Sequence, residues 1–151
     1  YVNLYFFNKK KYSKEKASAL AISFLSEKGF EEEISWDQLY NKVCKFSHYL
    51  KSIGLKKGDR VAGYVPNKIE SIISFLACAK NGIIWSSCSP DFGTQGVVDR
   101  FKQIAPSILI TSDHYFYNGK KIEIKKKQEK RKENSNQNLF LQNIFRPFFS
   151  T

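Results

Sequence analysis

The stretch WSSCSPDFGTQG, Trp85 to Gly96, decides how the chain around it is read. Ahead of it lies Gly82-Ile83-Ile84, an apolar run with the look of a buried strand. Behind it, Val97-Val98-Asp99-Arg100-Phe101-Lys102-Gln103-Ile104 has the spacing of a short helix and stops at Pro106. A strand, then serines, a Pro-Asp turn and glycines, then a helix suits the carboxyl edge of a parallel α/β sheet, where ligands occupy the crevice beyond the strand ends. The same residues also serve a plainer purpose. Ser89, Pro90 and Asp91 can simply turn the chain, and Ser and Asp oxygens accept hydrogen bonds from the free N–H groups of a helix start. Local chemistry leaves both readings standing. Trp85 fits a core anchor better than a substrate reader.

Upstream, Ala19 to Ser26 (ALAISFLS) is a candidate strand, Glu27-Lys28-Gly29-Phe30 a turn, and Glu31 to Trp36 a returning strand whose three glutamates suit an exposed edge. Ser35 stands where a cap belongs, and Leu39, Val43, Phe46, Leu50 and Ile53 then recur at helical steps until Gly54. Lys56-Lys57-Gly58-Asp59 is a turn and Arg60 to Val65 (RVAGYV) a short strand. A second helix follows Pro66-Asn67, with Ile69, Ile72, Ile73, Leu76 and Lys80 expected on one stripe and Asn81-Gly82 as its stop. Beyond the third helix, Ser107 to Thr111 (SILIT) is apolar throughout, as in a strand covered on both faces. Helix and strand alternate three times. The expected fold is therefore α/β, a mostly parallel sheet with helices on both faces.

The 151 residues are 42% hydrophobic and 15% aromatic, a globular composition with material for one core. No 18-residue apolar run is present: Ile69 to Trp85 is interrupted by Glu70, Lys80 and Asn81, so no membrane partner is expected. The sequence has no methionine and is expected to begin inside a longer polypeptide. Cys44, Cys78 and Cys88 lack CxxC spacing and leave one over, which points to reduced thiols and a cytoplasmic location. Two distant histidines, His48 and His114, give a zinc site little to draw on. The net charge of +11 is uneven: Lys120 to Glu133 holds eight basic and three acidic residues, a net of +5. A solvated lysine-rich segment accounts for that run, and no nucleic-acid module accompanies it. From Gln128 onward the chain is polar and repetitive, then ends in LFLQNIFRPFFST; residues 128–151 are expected to be a flexible tail of no assigned role.

Neither GxxxxGK[ST] nor GxGxxG occurs, and no Ser–His–Asp order or paired-carboxylate motif stands out. Local chemistry names no reaction and no catalytic residue.

Four strings together say more. GDRVAGYVPN (Gly58 to Asn67), WSSCSPDFG (Trp85 to Gly93), QGVVDRFKQIAP (Gln95 to Pro106) and YNGK (Tyr117 to Lys120), in that order, closely resemble the adenylate-forming acyl-CoA synthetase superfamily, and within it the acetoacetate–CoA ligase branch. The likeness runs from about Ala19 to Lys127. It implies that residues 1–127 are part of a large N-terminal α/β domain, to which the full-length family adds a smaller mobile domain. The implied activity is an AMP-forming acid–thiol ligase. Acetoacetate and MgATP give an acyl-adenylate and pyrophosphate, and the CoA thiol then displaces AMP. ATP, Mg and coenzyme A are the implied cofactors, and small molecules (acetoacetate, ATP, CoA) the implied partners.

The family's phosphate loop, Mg-binding segment and adenylation lysine have no counterpart here. The chain is thus expected to be a fragment, inactive alone and binding none of these cofactors tightly. One site is implied by the resemblance: the turn Tyr117, Asn118, Gly119 and Lys120 matches a basic turn that contacts the nucleotide part of CoA in related enzymes. The relatives carry arginines at both ends, where this chain has Tyr117 and Lys120. A plain Asn-Gly hairpin turn is the other reading. Two rival functions stand beside the ligase: an acetyl- or propionyl-CoA synthetase fragment, and a basic module using Lys120 to Lys132 on RNA or an acidic surface.

Overall fold

The computed structural model describes residues 14–124, apart from Lys28, Phe30 and Gly93. The basic run from Lys125 onward and the segment 128–151 lie outside the described residues. A short helix α1 (Lys14–Ser18), which the sequence pattern did not suggest, precedes β1 (Leu20–Leu25) and β2 (Glu31–Ser35). These two strands form the expected antiparallel pair, with Ile22 opposite Ile34 and Leu25 opposite Glu31.

Helix α2 (Trp36–Ser52) starts where the sequence places it. Ser35 Oγ accepts from the Gln38 amide at 3.3 Å, and Gln38 Oε1 accepts from the Ser35 amide at 2.8 Å. This reciprocal pair occupies two donors that a helix start otherwise leaves free. Leu39, Val43, Phe46 and Leu50 form its buried face. Gly54, at φ 90, then takes a left-handed turn that other residues resist.

Strand β3 (Arg60–Tyr64), helix α3 (Ile69–Lys80), strand β4 (Ile84–Cys88), helix α4 (Thr94–Ile104) and strand β5 (Ile108–Thr111) follow. The three strands are parallel in the order β4-β3-β5, so the chain leaves the central strand to one side and returns on the other. Period-two alternation divides the core. Val61, Val65, Ile108 and Ile110 face α2 and α3, while Ala62, Tyr64 and Leu109 face Val97 and Phe101 of α4. Helices therefore cover both faces, as expected. Strands β6 (His114–Tyr117) and β7 (Lys120–Glu123) close the described chain as an antiparallel hairpin, whose Tyr115 joins the α4-side core together with Ile124 just beyond β7.

Two expectations need correction. The strand expected at Gly82–Ile84 lies further on, at Ile84–Cys88, so most of the serine-rich stretch is strand and not loop. Gly82 is part of the turn before it, at φ 67. Serines suit this strand because, among the described residues, it is an edge, half exposed, and needs no unbroken apolar run. On α3 the buried residues are Ile69, Ile73, Ser74, Ala77 and Cys78, and Ile72 is 37% exposed. Small residues at 74, 77 and 78 let α3 lie close to its neighbours, which rotates the buried stripe away from Ile72.

A polar pair helps to tie helices α2 and α3 together. Ser47 Oγ donates to Asn81 Oδ1 at 2.8 Å, and Asn81 Nδ2 donates to the Ser47 carbonyl at 2.9 Å.

Candidate functional site

The carboxyl ends of β3, β4 and β5 lie at the same end of the sheet, because the strands are parallel and in register from Val61 to Tyr64. In the order β4-β3-β5 the chain leaves β3 for one side and crosses back to β5 on the other, the arrangement that in open α/β sheets puts ligands beyond the strand ends. Both stretches singled out in the sequence arrive here. The turn Ser89–Phe92 leaves β4, and the β6–β7 hairpin follows β5.

Two phenols join them. Tyr64, fully buried at the end of the central strand, donates its hydroxyl to the Pro90 carbonyl at 2.9 Å. Tyr115, on the hairpin, reaches the same carbonyl at 3.4 Å. Burial pushes the Tyr115 phenol up to about 12, and its hydrogen bond to Asp91 adds to the shift. The turn is also braced from within, since Ser89 Oγ donates to Asp91 Oδ2 at 2.8 Å. Ser89, Pro90 and Asp91 thus do shape a turn, and the turn is pinned to the hairpin that carries the other candidate residues.

Cys88, expected in the loop, is the buried last residue of β4, and Arg100 Nη1 of α4 lies 3.7 Å from its sulfur. A groove of about 370 Å³ opens beside it, lined by Cys88, Phe92, Val97, Asp99, Arg100 and Gln103. Phe92 is 59% exposed at its rim.

Tyr117 ends β6, Asn118 and Gly119 make the turn, and Lys120 opens β7, so the four residues implied by the resemblance sit together at one tip. Asn118 at φ 50 and Gly119 at φ 70 form a two-residue turn with both central angles positive. That geometry explains the Asn-Gly pair, because Asn tolerates left-handed backbone and Gly has no Cβ to oppose it. Tyr117 lies opposite Lys120, and both are exposed. The Gly119 amide points away to Glu27 Oε2 of the β1–β2 turn, at 3.4 Å. At the hairpin base, burial and the ammonium groups of Lys121 and Lys68 lower the His114 pKa, against the carboxylates of Asp113 and Glu123. Among the described residues no group of three His, Cys, Asp or Glu side chains is placed to hold a metal ion, so none is assigned to Mg.

Sequence reasoning passed over Tyr64, Tyr115, Arg100 and Glu27. Tyr64 carried a usable signal: a tyrosine ending an otherwise apolar strand must find a partner for its hydroxyl. The other three meet their partners only through tertiary contact.

A comparison with known protein families matches residues 9–144 to "AMP-binding enzyme". The chain belongs to the AMP-binding enzyme family. Relatives sharpen the likeness. An acetoacetyl-coenzyme A synthetase of Rhizobium meliloti is 47% identical over 107 residues, 71% of this chain and 16% of that protein. An acetoacetyl-CoA synthetase of Mus musculus is 42% identical over 99 residues, 64% of this chain and 15% of that protein. The solved acetoacetyl-CoA synthetase from Streptomyces lividans superposes with a TM-score of 0.72 at 34% identity, covering 76% of this chain and 18% of that one. This member of the family therefore spans under a fifth of the length of each of these three proteins.

Proposed function

We propose that the chain is the opening α/β portion of an AMP-forming acetoacetate–CoA ligase, with residues 1–127 belonging to its N-terminal domain and 128–151 left unassigned. The observation that carries this reading is the set of matches to acetoacetyl-CoA synthetases at 42–47% identity over about two thirds of the chain. In this reading the enzyme joins acetoacetate to CoA through an acyl-adenylate, using ATP and Mg, in the cytoplasm. Activating the acid and supplying Mg fall to segments outside these residues. The part assigned to this chain is the nucleotide end of CoA. Lys120 supplies a point charge for a phosphate, and the Gly119 backbone lets an anion come close. Tyr117 takes the place of the relatives' arginine and offers a face for stacking. The exposed tip and its positive φ angles support this assignment.

The test is a chimera in which residues 20–124 replace the matching segment of the Streptomyces lividans enzyme, assayed with acetoacetate. The chimera is expected to form both the adenylate and the thioester. Lys120→Ala in it should raise the CoA requirement and leave adenylate formation unchanged; a parallel fall in both half-reactions would sink the assignment. The 151-residue chain by itself, given ATP, Mg, CoA and acetoacetate, is expected to release no AMP.

A further inference from the structure

We infer that Glu27 occupies, in the free protein, the position a ligand phosphate takes at the hairpin tip, so that the β1–β2 turn sets how tightly that tip holds an anion. This rests on the assignment of Tyr117–Lys120 to a phosphate of CoA. In a two-residue hairpin the ladder bonds belong to the flanking pair, here Tyr117 and Lys120, and the Gly119 amide is left facing outward. That donor does not meet only water. The Glu27 carboxylate, 92 residues away in sequence, accepts from it at 3.4 Å.

A carboxylate oxygen is the nearest side-chain equivalent of a phosphate oxygen: anionic, and an acceptor of backbone N–H bonds. The contact is long for such a bond and both partners are exposed, so it is readily given up. The backbone turn that carries Glu27 is closed by the Gly29 amide donating to the Ser26 carbonyl at 3.0 Å, with Gly29 at φ 73. A phosphate arriving beside Lys120 must displace Glu27, because two anions cannot share one amide without repulsion. Glu27 thus opposes every anion at the tip.

The experiment is calorimetric titration of the chimera carrying residues 20–124 with coenzyme A, comparing its wild-type form with Glu27→Gln, Glu27→Ala and Lys120→Ala. Thermal melting of each variant establishes that the fold is kept. Both Glu27 variants should bind CoA about two- to fivefold tighter at low salt, the size expected for one exposed charge, and the gain should shrink at high salt. Lys120→Ala should bind more weakly. If the Glu27 variants bind CoA no better than wild type while Lys120→Ala loses affinity, the inference is overturned and the CoA assignment stands. If Lys120→Ala binds as tightly as wild type, or no variant binds CoA, the assignment is overturned and the inference with it.

Discussion

A Cβ built on Gly63 would lie 2.5 Å from the far edge of the Trp85 indole, so the central strand carries glycine where the neighbouring strand lays a tryptophan across it. Gly63→Ala is expected to destabilise the chain by about 1–3 kcal/mol, the cost of forcing an extra methyl into packed space. Trp85→Phe shortens the opposing side chain. In urea denaturation the double variant should therefore lose less than the two single losses combined, and strict additivity would show that the contact is not the cause. Tyr115 supplies a pH test. Its folded pKa of about 12 lies above the ordinary 10.0, so below pH 10 the folded and unfolded chains both hold the proton. Between about pH 10 and 12 the unfolded chain gives it up first, and stability falls. Cys78, pushed up to about 12 by burial, adds a loss that begins near its ordinary 9.0. Urea midpoints measured from pH 8 to 11 should fall less steeply in Tyr115→Phe and in Cys78→Ala than in wild type.

Elements differ in how plainly the sequence announced them. Helix α2 was legible from end to end, because Ser35, Gln38, the Leu39-Val43-Phe46-Leu50 spacing and Gly54 all act within the helix itself. Ser35→Ala should cost about 1 kcal/mol, read as a lowered urea midpoint with an unchanged slope. Asn81→Ala should cost at least as much, since it leaves the buried Ser47 hydroxyl and carbonyl without the partners they have now. Strand β4 was misplaced because its stability comes from β3 alongside and the Trp85 ring over Gly63, neither of which is local. The α3 stripe was misjudged for a related reason. Periodicity locates a helix, but Ile72 and Ile73 are equally apolar, and only the neighbours decide which one turns inward.

At the scale of the whole molecule, alternation of helix and strand was enough to predict a parallel layer covered on both faces. The order β4-β3-β5 was not, because nothing in a linear pattern says on which side of β3 the chain returns. The candidate site followed the same division. The Asn118-Gly119 turn was visible as a dipeptide with a known backbone preference. The convergence of Tyr64 and Tyr115 on the Pro90 carbonyl joins residues 26 and 25 positions apart and has no local trace.

Strand β4 leaves one flank open among the described residues. Ile84 and Cys88 spend their backbone groups on β3, through the Ile84 amide to Asp59 and the Cys88 carbonyl to Val65, so the groups of Trp85 and Ser87 look the other way. Among the described residues no strand lies on that flank, Ile84 is 54% exposed, and the strand carries no charge or proline to discourage company. Concentrated solutions of the chain should therefore creep into larger species by zipping such flanks together. Ser87→Pro, which deletes an outward amide and spares the seam with β3, should keep the far-ultraviolet spectrum and slow that growth in light scattering.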